Sequence, residues 1–448
     1  MKTFRTVLLS SVLFIAAAPV AYAADKGACP HDNGGIPPGA NIINRTAPFF
    51  IDTTGLDLKI TPPTRDPMSP GYPQATALAD GAVPSASRTG NFIIGPTHSI
   101  EPETLAQPRI PHGTIHTFTM SSADSLRYRP GMVRDDAPGC RNSALEHAPT
   151  APGDRSDMIV TTSHAGSWTR TVDVYVPAGY TSGKIAPLLV FGDGGADGFT
   201  NETQLFATLD NLIHAGRIPP VVAVGIGSGG QDAQGAERGR EYDTVSGTYA
   251  EWVEHEVLPL VEQNAHVRLT HDPAGRATMG ISSSGVAAFT MAWFHPELYG
   301  RVLAYSPTMV NQQWPHDTAL PGGAWEYHSP WTGRLSLNLL VHGVTFVPTS
   351  QPVGVPLISN TPHKPIRYWF ETGDRDLFYP AATIADGMHD WVLANETMAR
   401  VLAAKDYDYQ FVFARNAGHV DKGVVAQTLP EALEWTWRGY IPARNHGG

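Results

Sequence analysis

Cysteine is almost absent from this chain of 448 residues, with Cys29 and Cys140 the only two. A core stapled by several disulfides is therefore excluded, and so is a cysteine-rich zinc module. Charge is sparse as well. Charged residues make up 16% of the chain, the formal net charge is −11, and no run of Lys and Arg stands out that could neutralise a row of phosphates. Nucleic acid is not an expected partner. No His/Cys or His/Glu spacing suits zinc, since His255-Glu256 lacks a second histidine at the required step. Asp193 and Asp197 are too few acidic ligands for a calcium cage. No cofactor is expected.

Long apolar runs are missing everywhere except at the N-terminus. There, Lys2 and Arg5 precede an apolar stretch that ends in small residues, with Ala21 and Ala23 spaced like a signal-peptidase site. Residues 1–23 read as a signal peptide, because the apolar part is shorter than the ~20 residues of a spanning helix. The mature chain is expected to be secreted or periplasmic and free of the membrane. In an oxidising compartment Cys29 and Cys140 suggest one disulfide; two free thiols are the alternative.

Hydrophobic residues make up 42% of the chain, a globular composition with enough material for a sizeable core. Residues 24–110 are rich in Pro, Gly, Asp and Thr and read as an irregular extension whose apolar pieces, APFFI and GNFIIGP, dock on the main body. Residues 111–448 form the main domain. HGTIHTFTM and RTVDVYVPAGY predict two antiparallel strands joined by a long loop carrying Cys140. From Ala186 onward, short apolar runs closed by glycines alternate with helical spacing. PLLVFGDGG, VVAVGIGSGG, ATMGIS, VLAYSP, IRYWFETG and YQFVFARNAG read as strands. TYAEWVEHEVLPLVEQ reads as a helix burying Trp252, Val253, Val257, Leu260 and Val261. Such alternation predicts a mostly parallel sheet with helices on both faces and a site at the carboxyl ends of the strands.

Gly280-Ile281-Ser282-Ser283-Ser284-Gly285 joins a predicted strand to a predicted helix, the context of a nucleophile elbow. Ser282 stands two residues after the glycine that closes the strand and is the expected nucleophile. Serine replaces the second glycine of the usual Gly-x-Ser-x-Gly pattern, which keeps Ser283 and Ser284 as alternatives. The stretch MGISSSGVAAFTMAWFHPELYGRVLAYSPT resembles the esterase D-like group of α/β-hydrolases, which includes enterochelin esterases, feruloyl esterases and mycolyl transferases. The resemblance extends more loosely from about Arg170 to Tyr440. It implies the α/β-hydrolase fold, a Ser-His-acid triad and an ester or acyl-transfer substrate.

A serine hydroxyl needs a base, and His419 follows a predicted strand and precedes the last helix, as the catalytic imidazole does in this fold. Asn416-Ala417-Gly418-His419 also fits the Gly-Gly-His loop of the families this chain resembles. Gly373-Asp374-Arg375-Asp376 offers two carboxylates in the correct chain order. The resemblance favours Asp376, with Asp374 as the alternative. The oxyanion donors are expected at the backbone N–H of Ser283 and at Gly194 or Gly195 in the glycine-rich loop after PLLVF.

An insertion at about 311–365 carries Trp314, Trp325, Tyr327 and Trp331, which could receive an aryl or sugar-linked ester or could merely pack the insertion on the sheet. A small-molecule ester is the expected partner of a hydrolase. An acyltransferase of the same fold and a non-catalytic binding protein are the competing readings. An acyltransferase would hand the acyl group to an alcohol in place of water.

Overall fold

The computed structural model describes residues 74–134, 163–195, 198–230, 236–310, 323–329, 338–339, 344–345, 356–377 and 390–441. Cys29, Cys140, Trp314 and Trp331 lie outside them, as does the segment read as a signal peptide. Among the described residues no helix is long and apolar enough to cross a membrane.

Ten strands build the main sheet: β1 (Ala75–Ala77), β2 (Gly90–Ile94), β3 (Thr114–Ser121), β4 (Thr169–Val176), β5 (Leu188–Gly192), β6 (Val222–Ile226), β7 (Arg276–Ile281), β8 (Arg301–Tyr305), β9 (Arg367–Gly373) and β10 (Asp408–Ala414). Their order is β1-β2-β10-β9-β8-β7-β5-β6-β4-β3. Only β3 with β4 and β4 with β6 run antiparallel; every other neighbour is parallel. The central strands carry no alternation because both faces are covered: β5, β6, β7 and β8 are buried at every position.

The helices are α1 (Glu202–His214), α2 (Glu237–Tyr242), α3 (Thr248–Trp252), α4 (Leu258–Ala265), α5 (Ser282–Phe294), the short α6 (Leu357–Asn360), α7 (Trp391–Ala404) and α8 (Lys422–Trp437). Apolar residues of α1 and α8, such as Leu209 and Leu433, pack one face of the sheet. Those of α3, α4, α5 and α7 pack the other. The helix expected over TYAEWVEHEVLPLVEQ is interrupted by a π turn, Val253–Val257, just before Pro259, whose missing N–H breaks the regular ladder. Its buried residues are Tyr249, Ala250, Trp252, Val253, Val257, Leu258 and Val261, whereas Leu260 is only half-buried.

Within the stretch expected to be irregular, GNFIIGP supplies β2, which pairs with β10. Gln427 and Trp435 of α8 donate to the carbonyls of Gly81 and Arg88, tying this segment to the last helix.

The chain reverses its direction of travel across the sheet at β5: β6 returns on one side of it and β7 on the other. The carboxyl ends of β5 and β7 therefore flank the crevice where ligands bind in open α/β sheets.

Candidate active site

Ser282 opens α5 directly from the end of β7, with φ of +53°. A left-handed turn at a non-glycine residue costs energy and lifts the side chain out of the strand-to-helix junction. Gly280 makes that turn possible, because a Cβ there would stand 2.1 Å from the carbonyl oxygen of Ser284. The other two serines point away from the crevice. Ser284 is buried, its hydroxyl donating to the carbonyl of Ile281 at 2.8 Å and accepting from the Ile281 N–H at 2.9 Å. Ser283 is also buried, and its hydroxyl donates to Asp243 at 3.3 Å.

The Nε2 of His419 lies 2.9 Å from the Ser282 hydroxyl, and its Nδ1 lies 2.6 Å from Oδ1 of Asp376. His419 follows β10, in a loop secured by Asp421, which caps α8 by accepting from the N–H groups of Gly423 and Val424. Asp376 is fully buried, and its carboxylate also accepts from the Leu377 N–H at 2.7 Å and the Thr372 hydroxyl at 2.9 Å. Burial alone would raise this carboxyl, but the His419 imidazole and hydrogen bonds from His419, Ser306 and Leu377 outweigh it and hold the group below the usual aspartate range. Asp374 turns elsewhere. Its carboxylate accepts from the Ala417 N–H at 3.2 Å and stands 3.9 Å from Arg375, so it fastens the acid loop to the histidine loop.

The loop after β5 is held just as tightly. Asp193, at φ +55°, is fully buried and receives Nε and Nη2 of Arg238 at 2.8 and 2.7 Å, while its N–H donates to Tyr242. Gly194 donates its N–H to the Ile226 carbonyl at 3.0 Å. Gly195 donates to Oε1 of Glu202 at 2.7 Å. Of these two glycines, only Gly195 gives its N–H to a side chain, which can rotate away. The N–H of Ser283 lies in the first turn of α5, where helical amides lack a partner within the helix. Burial first, then the neighbouring Asp173, push the Glu202 carboxyl up to about 7, against the pull of the Gly195 N–H.

A cavity of about 460 Å3 adjoins this constellation between α1 and α8. Phe199, Glu202, Ile281, Tyr305, Val420 and Lys422 are in its wall, and Ile281 and Val420 are the chain neighbours of Ser282 and His419. Of the four aromatic residues weighed between substrate and packing, Trp314 and Trp331 lie outside the described residues, and neither Trp325 nor Tyr327 lines it. Trp325 and Tyr327 are buried in the core: Tyr327 meets Phe289 and Trp293 edge-on, and its hydroxyl donates to Thr290 at 2.9 Å. Tyr327 therefore packs on α5, while the Trp325 ring meets His328 of its own segment edge-on. The cavity residues escaped the sequence reading because they come from four separate segments. Only Phe199, four residues beyond the glycine loop, carried a local signal.

Parallel strands that present a serine on a strained turn, an aspartate after β9 and a histidine after β10 define the α/β-hydrolase class. Within that class, residues 163–351 match the family described as "Putative esterase". Comparison with curated protein sequences finds no match. Among solved structures the chain is similar to an enterochelin esterase from Shigella flexneri, with 19% identity, 60% of this chain and 54% of that one covered, and a TM-score of 0.38. It is similar to a ferulic acid esterase from Anaeromyces mucronatus, with 13% identity, 76% and 98% covered, and a TM-score of 0.41. A feruloyl esterase module from Clostridium thermocellum shows 13% identity, 82% and 100% covered, and a TM-score of 0.43. The chain spans about half the length of the enterochelin esterase it matches.

Proposed function

We propose that this protein is a serine esterase that hydrolyses a carboxylic ester through Ser282, His419 and Asp376. The observation that carries the reading is the unbroken relay from Ser282 Oγ to His419 Nε2 at 2.9 Å and from His419 Nδ1 to Asp376 at 2.6 Å. His419 takes the hydroxyl proton as Ser282 attacks the ester carbonyl. Asp376 fixes the imidazole and balances its positive charge. The oxyanion is received by the N–H of Ser283 and by that of Gly195 once Glu202 turns aside. His419 then passes its proton to the departing alcohol, leaving an acyl-serine. Water, deprotonated by the same imidazole, releases the acid and restores the hydroxyl.

The exposed aromatic ring of Phe199 in the adjoining cavity favours an aryl or sugar-linked ester as substrate. Purified protein given an aryl ester should release the acid and the alcohol in equal amounts, and an organophosphonate should stop the reaction by modifying Ser282. Absence of both turnover and labelling would remove the reading. Transfer of the acyl group to an added alcohol in preference to water would replace esterase by acyltransferase.

A further inference from the structure

The serine that ends the strand beside the nucleophile has no role in the relay, yet it touches the loops that carry it. Ser306 follows β8, is fully buried and sits at φ +44°. That backbone conformation is unfavourable for any residue with a side chain, and glycine would adopt it without strain. A strained serine at a buried position points to a use for its hydroxyl. Its oxygen accepts the N–H of Val420 at 2.9 Å, the residue directly after His419 and itself at φ +47°. Its proton is then free to be directed at the Asp376 carboxylate, whose ionised form Ser306 helps to favour. The Ser306 N–H donates to the Glu371 carbonyl at 2.9 Å, which seats the turn on β9. Two residues on, the Thr308 N–H donates to the Ser282 carbonyl at 3.1 Å, so this short turn also bears on the nucleophile.

From this arrangement we infer that Ser306 is a positioning residue: its single hydroxyl, accepting from Val420 and donating to Asp376, sets the histidine loop at its working distance from the acid. The inference rests on the esterase reading above. A hydroxyl can do this because it is donor and acceptor at once, whereas glycine or alanine at 306 leaves the Val420 N–H and one carboxylate lone pair without their partner. The strained loop after His419 then has one fewer fixed point, and displacements of about 1 Å in a catalytic group cost on the order of 100-fold in rate.

The test compares Ser306→Gly and Ser306→Ala with the wild-type protein, reading kcat, KM, the rate of Ser282 modification by an organophosphonate, and the melting temperature. Alanine keeps the backbone strain and glycine relieves it, so the two variants should differ in melting temperature. Both should lose kcat and labelling rate by about the same factor, between roughly 10-fold and 100-fold, with KM within a few-fold of wild type. A purely structural role predicts the reverse, with activity following stability and Ser306→Gly the better enzyme. If Ser306→Gly turns over and is labelled as fast as wild type, the inference is overturned and the esterase reading stands. If the wild-type Ser282 is not labelled at all, both fall together.

Discussion

Ser284 occupies the space that a side chain on Gly192 would need: a Cβ added to Gly192 would lie 2.7 Å from the Cβ of Ser284. Here lies the physical reason why serine can stand where the usual elbow has its second glycine. The strand opposite supplies the missing room, and the serine hydroxyl uses it to bond back to both polar groups of Ile281. Gly192→Ala should therefore overpack the elbow and destabilise the protein by about 1–3 kcal/mol. Ser284→Gly, combined with it, should recover part of that loss, although Tyr242 still crowds the site at 3.1 Å. Urea unfolding of the two single variants and the double variant measures the coupling; additive effects would show that the two positions do not compete for space.

Asp376 and Asp374 stand two residues apart and face different partners, which makes the acid assignment separable from general disturbance of the loop. Asp376→Asn should lower kcat by up to ~10⁴-fold through the wrong imidazole tautomer, while the fold persists. Asp374→Asn keeps an oxygen that can accept the Ala417 N–H, removes only the charge beside Arg375, and should cost far less activity. Steady-state kinetics of both variants decide between them, and a crippled Asp374→Asn beside an active Asp376→Asn would reverse the assignment.

Glu371 lies fully buried on β9, and neither of its carboxyl oxygens has a hydrogen-bond partner among the described residues. Burial first, then Asp376 and Asp421 nearby, push its carboxyl well above the ordinary glutamate range. A carboxyl raised in the folded state favours folding fully below its unfolded value of ~4.3 and loses that advantage as pH rises toward the folded value. Wild-type stability should thus decline as pH rises above the ordinary glutamate range. Glu371→Gln, neutral throughout, should flatten the decline. Thermal melts across this pH range check it, and parallel curves for the two proteins would show that Glu371 is not the group responsible.

The parts of the fold and the site that could be read from the sequence are those written in contiguous residues. The strands of the parallel sheet announced themselves as apolar runs closed by glycines, because strands buried on both faces need no alternation. Ser282 was legible through the glycine that closes β7, and His419 through its place before the last helix. What the sequence could not supply was assembly across distance. The cavity brings Phe199, Tyr305 and Val420 together from three separate segments, and Ser306 matters only through two loops that lie far from it in sequence. Trp325 and Tyr327 stayed open between substrate and packing for a related reason. Aromatic residues in an insertion look alike whether they face a substrate or the back of a helix.

That contrast can be measured. Phe199 is 59% exposed and lines the cavity, with the Arg238 guanidinium 5.1 Å from its ring centre, whereas Tyr327 is fully buried against α5. Phe199→Ala should raise KM for an aryl ester several-fold more than for an acetyl ester of the same alcohol. Tyr327→Phe should leave both KM values unchanged and lower stability by about 1 kcal/mol through the lost bond to Thr290. Equal KM effects of Phe199→Ala on the two esters would place the aryl group outside the cavity.

Glu202 offers the sharpest test of the oxyanion donors. Its carboxyl holds the Gly195 N–H at 2.7 Å and is pushed up to about 7, so it is neutral below that pH and ionised above it. An ionised Glu202 grips the amide harder and sets a negative charge beside the place where the oxyanion must form. Both effects oppose the same step. The kcat/KM of the wild-type protein should therefore fall on the alkaline side of about pH 7, and Glu202→Gln, which carries no charge at any pH, should remove that limb while leaving the acid limb in place. Rates measured for both proteins with one aryl ester, from about pH 5 to pH 9, are enough, since the ester itself does not titrate in that range. If the two profiles fall together at high pH, Glu202 does not govern Gly195, and the second oxyanion donor must be sought outside this loop. If Glu202→Gln loses activity at every pH, the carboxyl supports the loop and does not compete for it.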